Sequence, residues 1–249
     1  MSRRFAAPAL AQVVADISAT KSAGLHSLHL LTGDRATGKT TWCYTLARTA
    51  QTVGMNVAGI VCPGIEGAPA IGKIAIEALD LQSGQKRLLA TRREAPTVEL
   101  GQRSFHRRDA DAHADTRSVS SVHDTTVTDA EIVRSPVFQA EDAPTKFIGA
   151  WVFVQSTIAW VNGRLANVRD CDLLIIDELG PLELEDGEGF QEALAVLQRR
   201  PFAFAVVVVR PELVKRALQR WPDAAVFDAT GALQVHSRVA GCSTGTGAP

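Results

Sequence analysis

Apolar and polar positions along the chain switch repeatedly between a strand-like and a helix-like period, and the order of the switches predicts an α/β fold. A first amphipathic helix spans about residues 9–19, within an N-terminal segment 1–22. Residues 25–31 then read as an apolar strand and residues 41–53 as a helix, with Trp42, Leu46, Ala50 and Val53 on one side and Gly54 as its stop. A short apolar strand follows over 56–62, ending at Pro63 and Gly64. Two further runs, 71–81 and 86–90, are joined through residues 82–85, where Gly84 suits a positive φ; they predict a β-hairpin appended to the sheet. From 92 to 145 large apolar residues thin out and no period is sustained, which predicts a polar insertion, wholly or partly disordered. Order resumes over 147–154, followed by a helix over 156–168 that turns Ile158, Val161, Leu165 and Val168 inward. Residues 172–176 form a buried strand, 190–198 a helix, and 202–209 a very hydrophobic strand leading through Arg210 and Pro211 into a helix that runs to Trp221. Edge strands at 224–227 and 233–235 and a small, flexible tail at 241–249 complete the pattern.

Composition narrows this picture. A chain of 249 residues has room for one large α/β domain, so residues 1–249 are read as a single unit. A formal net charge of −1 leaves no electrostatic footprint for nucleic acid, and Trp151 and Trp160, without a basic groove, are core or interface aromatics. No apolar run approaches the roughly 20 residues that cross a bilayer. Arg3, Arg4 and Phe5 resemble the start of an export signal, but Pro8, Gln12 and Asp16 interrupt the apolar stretch it would need. The cysteines, Cys43, Cys62, Cys171 and Cys242, are scattered without a Cys-x-x-Cys pair and fit reduced thiols of a cytoplasmic protein. His106, His113 and His123 lie among aspartates in the insertion and raise a metal site; their spacing matches no helical or finger ligand pattern and favours a solvated loop.

Two stretches carry chemistry. Gly33, Asp34, Arg35, Ala36, Thr37, Gly38, Lys39, Thr40 and Thr41 lie in the turn between a predicted strand and a predicted helix, with two glycines, Lys and Thr at the spacing of a phosphate-cradling loop. Glycine lets the backbone curl around a polyphosphate and approach its oxygens, and the helix start adds unpaired N–H groups and a positive dipole end. Lys39 would reach the β and γ phosphates, and the Thr40 hydroxyl would ligate Mg²⁺. In the second stretch, four bulky apolar residues lead into Asp177 and Glu178, so that a buried strand delivers two carboxylates to the ligand crevice at its C-terminal end. Asp177 would hold Mg²⁺ directly or through water, and Glu178 would orient and deprotonate an attacking water. Of the acids that follow, Glu183 stands out from those that merely favour a helix start. Arg210 ends the strand after the acidic one. It either faces the γ-phosphate as a sensor or cis-acting arginine, or pairs with an acid of the loop after Asp177.

Together these pieces resemble the small P-loop nucleoside-triphosphatases of thermophiles, found also in animals as the cancer-related nucleoside-triphosphatase. The likeness runs through residues 33–41, 54–60, 72–84 and 151–153, then 175–184, where Asp-Glu-Leu-Gly-Pro-Leu-Glu-Leu is the most specific part, and ends at Arg210. The resemblance implies a RecA-like, three-layer fold on a mostly parallel sheet, and hydrolysis of several nucleoside triphosphates, ATP and GTP among them, with little base selectivity. It also implies phosphate and Mg²⁺ binding by Gly38, Lys39 and Thr40, metal assistance by Asp177, and Glu178 as the base. The insertion and the N-terminal extension depart from the family pattern. Two other activities fit the motifs: a nucleotide or small-molecule kinase that closes the insertion as a lid, and a non-hydrolytic switch. The switch draws on the Asp-x-x-Gly match at 177–180 but lacks an Asn-Lys-x-Asp guanine-reading motif.

Overall fold

A computed structural model describes residues 4–6, 8–68, 72–93 and 145–229. In chain order the elements begin with β1 (Arg4–Ala6), α1 (Leu10–Ser22), β2 (Ser27–Thr32), α2 (Lys39–Thr52) and β3 (Val57–Val61). Next come β4 (Gly64–Glu66), β5 (Lys73–Asp80), β6 (Lys86–Arg92), β7 (Thr145–Ile148), β8 (Trp151–Val154) and α3 (Gln155–Ala166). The chain continues with β9 (Cys171–Leu179), a π-helical turn (Leu182–Asp186), α4 (Gln191–Arg199), β10 (Phe202–Val209), a 3₁₀ turn (Pro211–Leu213), α5 (Val214–Arg220) and β11 (Ala225–Asp228).

One sheet runs in the order β1-β11-β2-β10-β9-β3-β5-β6-β8-β7, with β4 paired to β5. It is parallel from β1 through β3 and antiparallel from β5 onward. The strands of the parallel half alternate between two apolar faces. Leu31, Leu173, Ile175, Phe204, Val206 and Val208 pack with Val13 and Ile17 of α1 and Trp42 and Leu46 of α2. Leu30, Leu174, Ile176, Ala205 and Val207 pack with Val161 and Leu165 of α3, Leu194 and Leu197 of α4, and Val214 and Ala217 of α5. Two helical layers thus cover a sheet that is buried on both sides, which is why its strands read as unbroken apolar runs. The strand β10 lies between β2, which leads into the glycine-rich loop, and β9, which carries the paired acids.

Several elements depart from the sequence expectation. The N-terminal segment opens with β1, paired in parallel to β11, and becomes helical only at Leu10. The strand expected over 71–81 starts at Lys73 and is preceded by β4, which pairs back on it. The segment 147–154 is two strands, β7 and β8, turned at Gly149 with φ +58°. The antiparallel wing is therefore larger than the one appended hairpin, although that hairpin is present: Gly84 takes φ +71°, and the Asp80 carboxylate accepts the Ser83 N–H at 3.2 Å while Arg164 pairs with it. His29 stacks between Phe204 and Phe227 at 4.1 and 4.6 Å, and burial pushes its pKa down to about 4. Residues 94–144 of the insertion, including the three histidines, lie outside the described residues, as do the strand expected at 233–235, Cys242 and the tail 241–249. No described helix is long and apolar enough to cross a membrane.

Candidate nucleotide site

The site collects at the C-terminal ends of β2, β3, β9 and β10, the crevice where α/β sheets receive ligands. The loop after β2 turns through left-handed backbone at Gly33 (φ +146°), Ala36 (φ +61°) and Gly38 (φ +86°), and Gly38 caps α2. A side chain at Gly33 would press on Ala229, at the end of β11, with atoms 3.0–3.2 Å away. Asp34, Arg35, Ala36 and Thr41 are exposed, while Thr37 to Thr40 are half-buried. Lys39 curls back over the loop, its Nζ donating to the Gly33 carbonyl at 2.8 Å and to the Asp34 carbonyl at 2.5 Å. Partial burial lowers its pKa, opposed by the charges of Glu178, Asp177 and Asp34.

The first turn of α2 meets the end of β9. The Thr40 hydroxyl donates to Asp177 Oδ1 at 3.3 Å, and the Cys62 N–H, just past β3, donates to Oδ2 at 2.9 Å. Asp177 is buried. Desolvation pushes its carboxyl up to about 6, against the pull of these two donors. The residues present fit Mg²⁺, which takes one or two protein oxygens and completes its shell with phosphate and water. Thr40 and Asp177 supply such a pair, and among the described residues no cluster of three His, Cys, Asp or Glu side chains would hold a metal without a nucleotide.

Adjacent residues of a regular strand face opposite ways, yet the charges of Asp177 and Glu178 both act on Lys39. The register of β9 against β10 explains it: Ile176 pairs with Val207 and Leu179 with Val209, so β9 carries one residue more than its partner. This bulge re-aims the chain, and Glu178 takes φ +82°, a conformation costly for a non-glycine residue and concentrated at functional sites. Its exposed carboxylate is held by Arg210, with Nε at 2.7 Å and a terminal nitrogen at 2.5 Å from Oε1. Of the two expectations for Arg210, the structure has the ion pair, and the acid concerned is Glu178.

Glu183 shapes the loop that follows. It lies in the π-helical turn and is buried; Oε2 accepts the Gly180 N–H and Oε1 the Phe190 N–H, both at 2.8 Å. A Cβ on Gly189 would fall 2.0 Å from Oε1, so that glycine makes room for the carboxylate. Burial raises the Glu183 pKa, and the two N–H donors oppose the rise. Changing Glu183 to Ala strands two buried N–H groups, and the expected loss of stability is about 2–4 kcal/mol, measured by urea unfolding. Sequence reasoning noticed Glu183 and missed the Cys62 N–H and the bulge; a backbone donor and an extra residue leave no mark in side-chain identity.

A family model described as NTPase matches residues 29–129, which include the glycine-rich loop and end before Asp177. Over those residues the resemblance read from the motifs is borne out. No curated protein matches the chain. Among solved structures, THEP1 from the hyperthermophile Aquifex aeolicus is similar with a TM-score of 0.45 at 16% identity, covering 82% of this chain and 90% of that one. The chain thus has an α/β fold on a mixed sheet, and over residues 29–129 it is similar to the NTPase family.

Proposed function

We propose that the protein is an Mg²⁺-dependent nucleoside-triphosphatase that transfers the γ-phosphoryl group to water with weak selectivity for the base. The observation that carries this reading is the convergence of Thr40, Asp177 and Glu178 at one crevice beside Lys39. The glycine-rich loop and the start of α2 bind the phosphates, Lys39 leaves its loop carbonyls for the β and γ phosphates, and Thr40 and Asp177 hold the metal. Mg²⁺ held by Thr40 and Asp177 would supply neutralisation of the phosphate charge. Glu178 orients a water and takes its proton, and Arg210, released from Glu178, stabilises charge on the transferring phosphoryl group.

Water is favoured over another acceptor because a carboxylate stands directly beside the metal-binding one. A switch reading is disfavoured by Gly180, whose N–H is already donated to Glu183. The free thiols Cys43, Cys62 and Cys171 suit a reducing cytoplasm. The test is phosphate release from ATP with Mg²⁺ and no acceptor. Steady release supports hydrolysis, and nucleotide consumption that appears only with an added acceptor overturns it.

A further inference from the structure

Lys73 opens β5 opposite Glu66 of β4, yet no ion pair joins the two among the described residues. Its side chain runs across Gly64 instead. A Cβ at Gly64 would lie 2.1 Å from the Lys73 Cε and 2.7 Å from both Cδ and Nζ, so only glycine leaves the lysine this path. Gly64 is two residues beyond Cys62, whose N–H holds the buried carboxylate of Asp177. The lysine therefore crosses the segment that follows β3 at the edge of the crevice. Burial raises the pKa values of Asp177 and Cys62, and the charge of Lys73 is among the influences that lower them. Two other cations of the crevice are engaged, Lys39 by its own loop carbonyls and Arg210 by Glu178. An ammonium extended over a glycine, with no carboxylate bound to it among the described residues, is suited to an anionic group arriving from solution.

We propose that Lys73 is a second phosphate-contacting lysine, which reaches the terminal phosphate of a bound nucleoside triphosphate from the β4–β5 side of the crevice. Lys39 grips the chain of phosphates from the loop after β2; Lys73 meets only the outermost one. Its contribution is discrimination of triphosphate from diphosphate, because a diphosphate ends short of it. This inference rests on the nucleotide-binding reading above and adds a residue outside the glycine-rich loop and the paired acids.

The test is equilibrium binding of ATP and ADP with Mg²⁺, by calorimetry, to the wild type, Lys73→Met and Lys73→Arg. Methionine keeps an aliphatic chain over Gly64 and removes the charge. The expected result is an ATP affinity about 10-fold weaker in Lys73→Met, with ADP affinity unchanged and ATP affinity largely restored in Lys73→Arg. Gly64→Ala, which displaces the lysine without altering its charge, is expected to show the same triphosphate-specific loss. Lys73→Met binding ATP as tightly as the wild type, or losing ATP and ADP equally, overturns the proposal. A wild type that binds neither nucleotide refutes the parent reading as well, which separates the two failures.

Discussion

Glu178→Gln is expected to lower triphosphate hydrolysis by about 10²- to 10³-fold and to leave the nucleotide dissociation constant within a few-fold of wild type. Glutamine keeps the shape and the acceptor oxygen that faces Arg210, but it cannot take a proton from water. The carboxylate is exposed on a bulged strand end at φ +82° and its partner is Arg210, so its removal leaves the core of the sheet untouched. The effect belongs in the chemical step, not in binding. Single-turnover hydrolysis beside a binding titration separates the two; a Gln variant within twofold of the wild-type rate would remove Glu178 from the mechanism. The Arg210 pair gives this glutamate a resting partner, and the same experiment at several ATP concentrations reports whether saturation is preserved.

The largest effect on stability is expected at Gly59, in the middle of β3. Its φ is +115°, and a Cβ there would lie 1.9 Å from the Ile175 carbonyl oxygen and 2.8 Å from the Ile175 nitrogen. These are backbone atoms of β9 in a parallel pairing, with Gly59 opposite Ile175, and the Gly59 carbonyl also accepts the Leu81 N–H at 3.0 Å. Relief of the clash requires β3 to separate from β9, the pairing that carries Cys62 to Asp177. Gly59→Ala is expected to cost more than about 4 kcal/mol and to lower the melting temperature by on the order of 10 °C, or to leave the protein insoluble. Gly163, exposed in α3 with open space at its Cβ, is the control: its Ala variant is neutral or more stable by up to about 1 kcal/mol. Thermal unfolding followed by circular dichroism compares them, and a Gly59→Ala protein that melts with the wild type would contradict the pairing.

How much of this was legible in the sequence follows from where each feature resides. The glycine-rich loop, α2 and the apolar run of β9 are local patterns, and periodicity with turn chemistry suffices to read them. The very hydrophobic run of β10 was also readable as a strand buried on both faces, whereas its neighbours β2 and β9 are a matter of topology. The strand β4 was not, because Gly64 to Glu66 is only three residues, too short to show a period of its own. The split of 147–154 into two strands hinges on Gly149 alone. The bulge at Asp177 and Glu178 exists only relative to the register of β10, so no window along β9 reveals it. Glu183 was set apart from the other acids that follow Glu178, but its role as acceptor for two backbone N–H groups is a tertiary fact. Lys73 was invisible for the same reason, since its path depends on the lack of a side chain at Gly64 across the hairpin.

The central claim, that the loop after β2 and the acids of β9 make one metal-dependent hydrolytic site, is tested most directly by one panel. Phosphate release is measured from ATP, GTP, CTP and UTP, with Mg²⁺ and with the metal chelated, for the wild type and Lys39→Ala. The account predicts release from all four nucleotides at comparable rates, dependent on Mg²⁺, and reduced at least about 100-fold in Lys39→Ala. Release that persists without Mg²⁺, or a Lys39→Ala protein as active as the wild type, would contradict it.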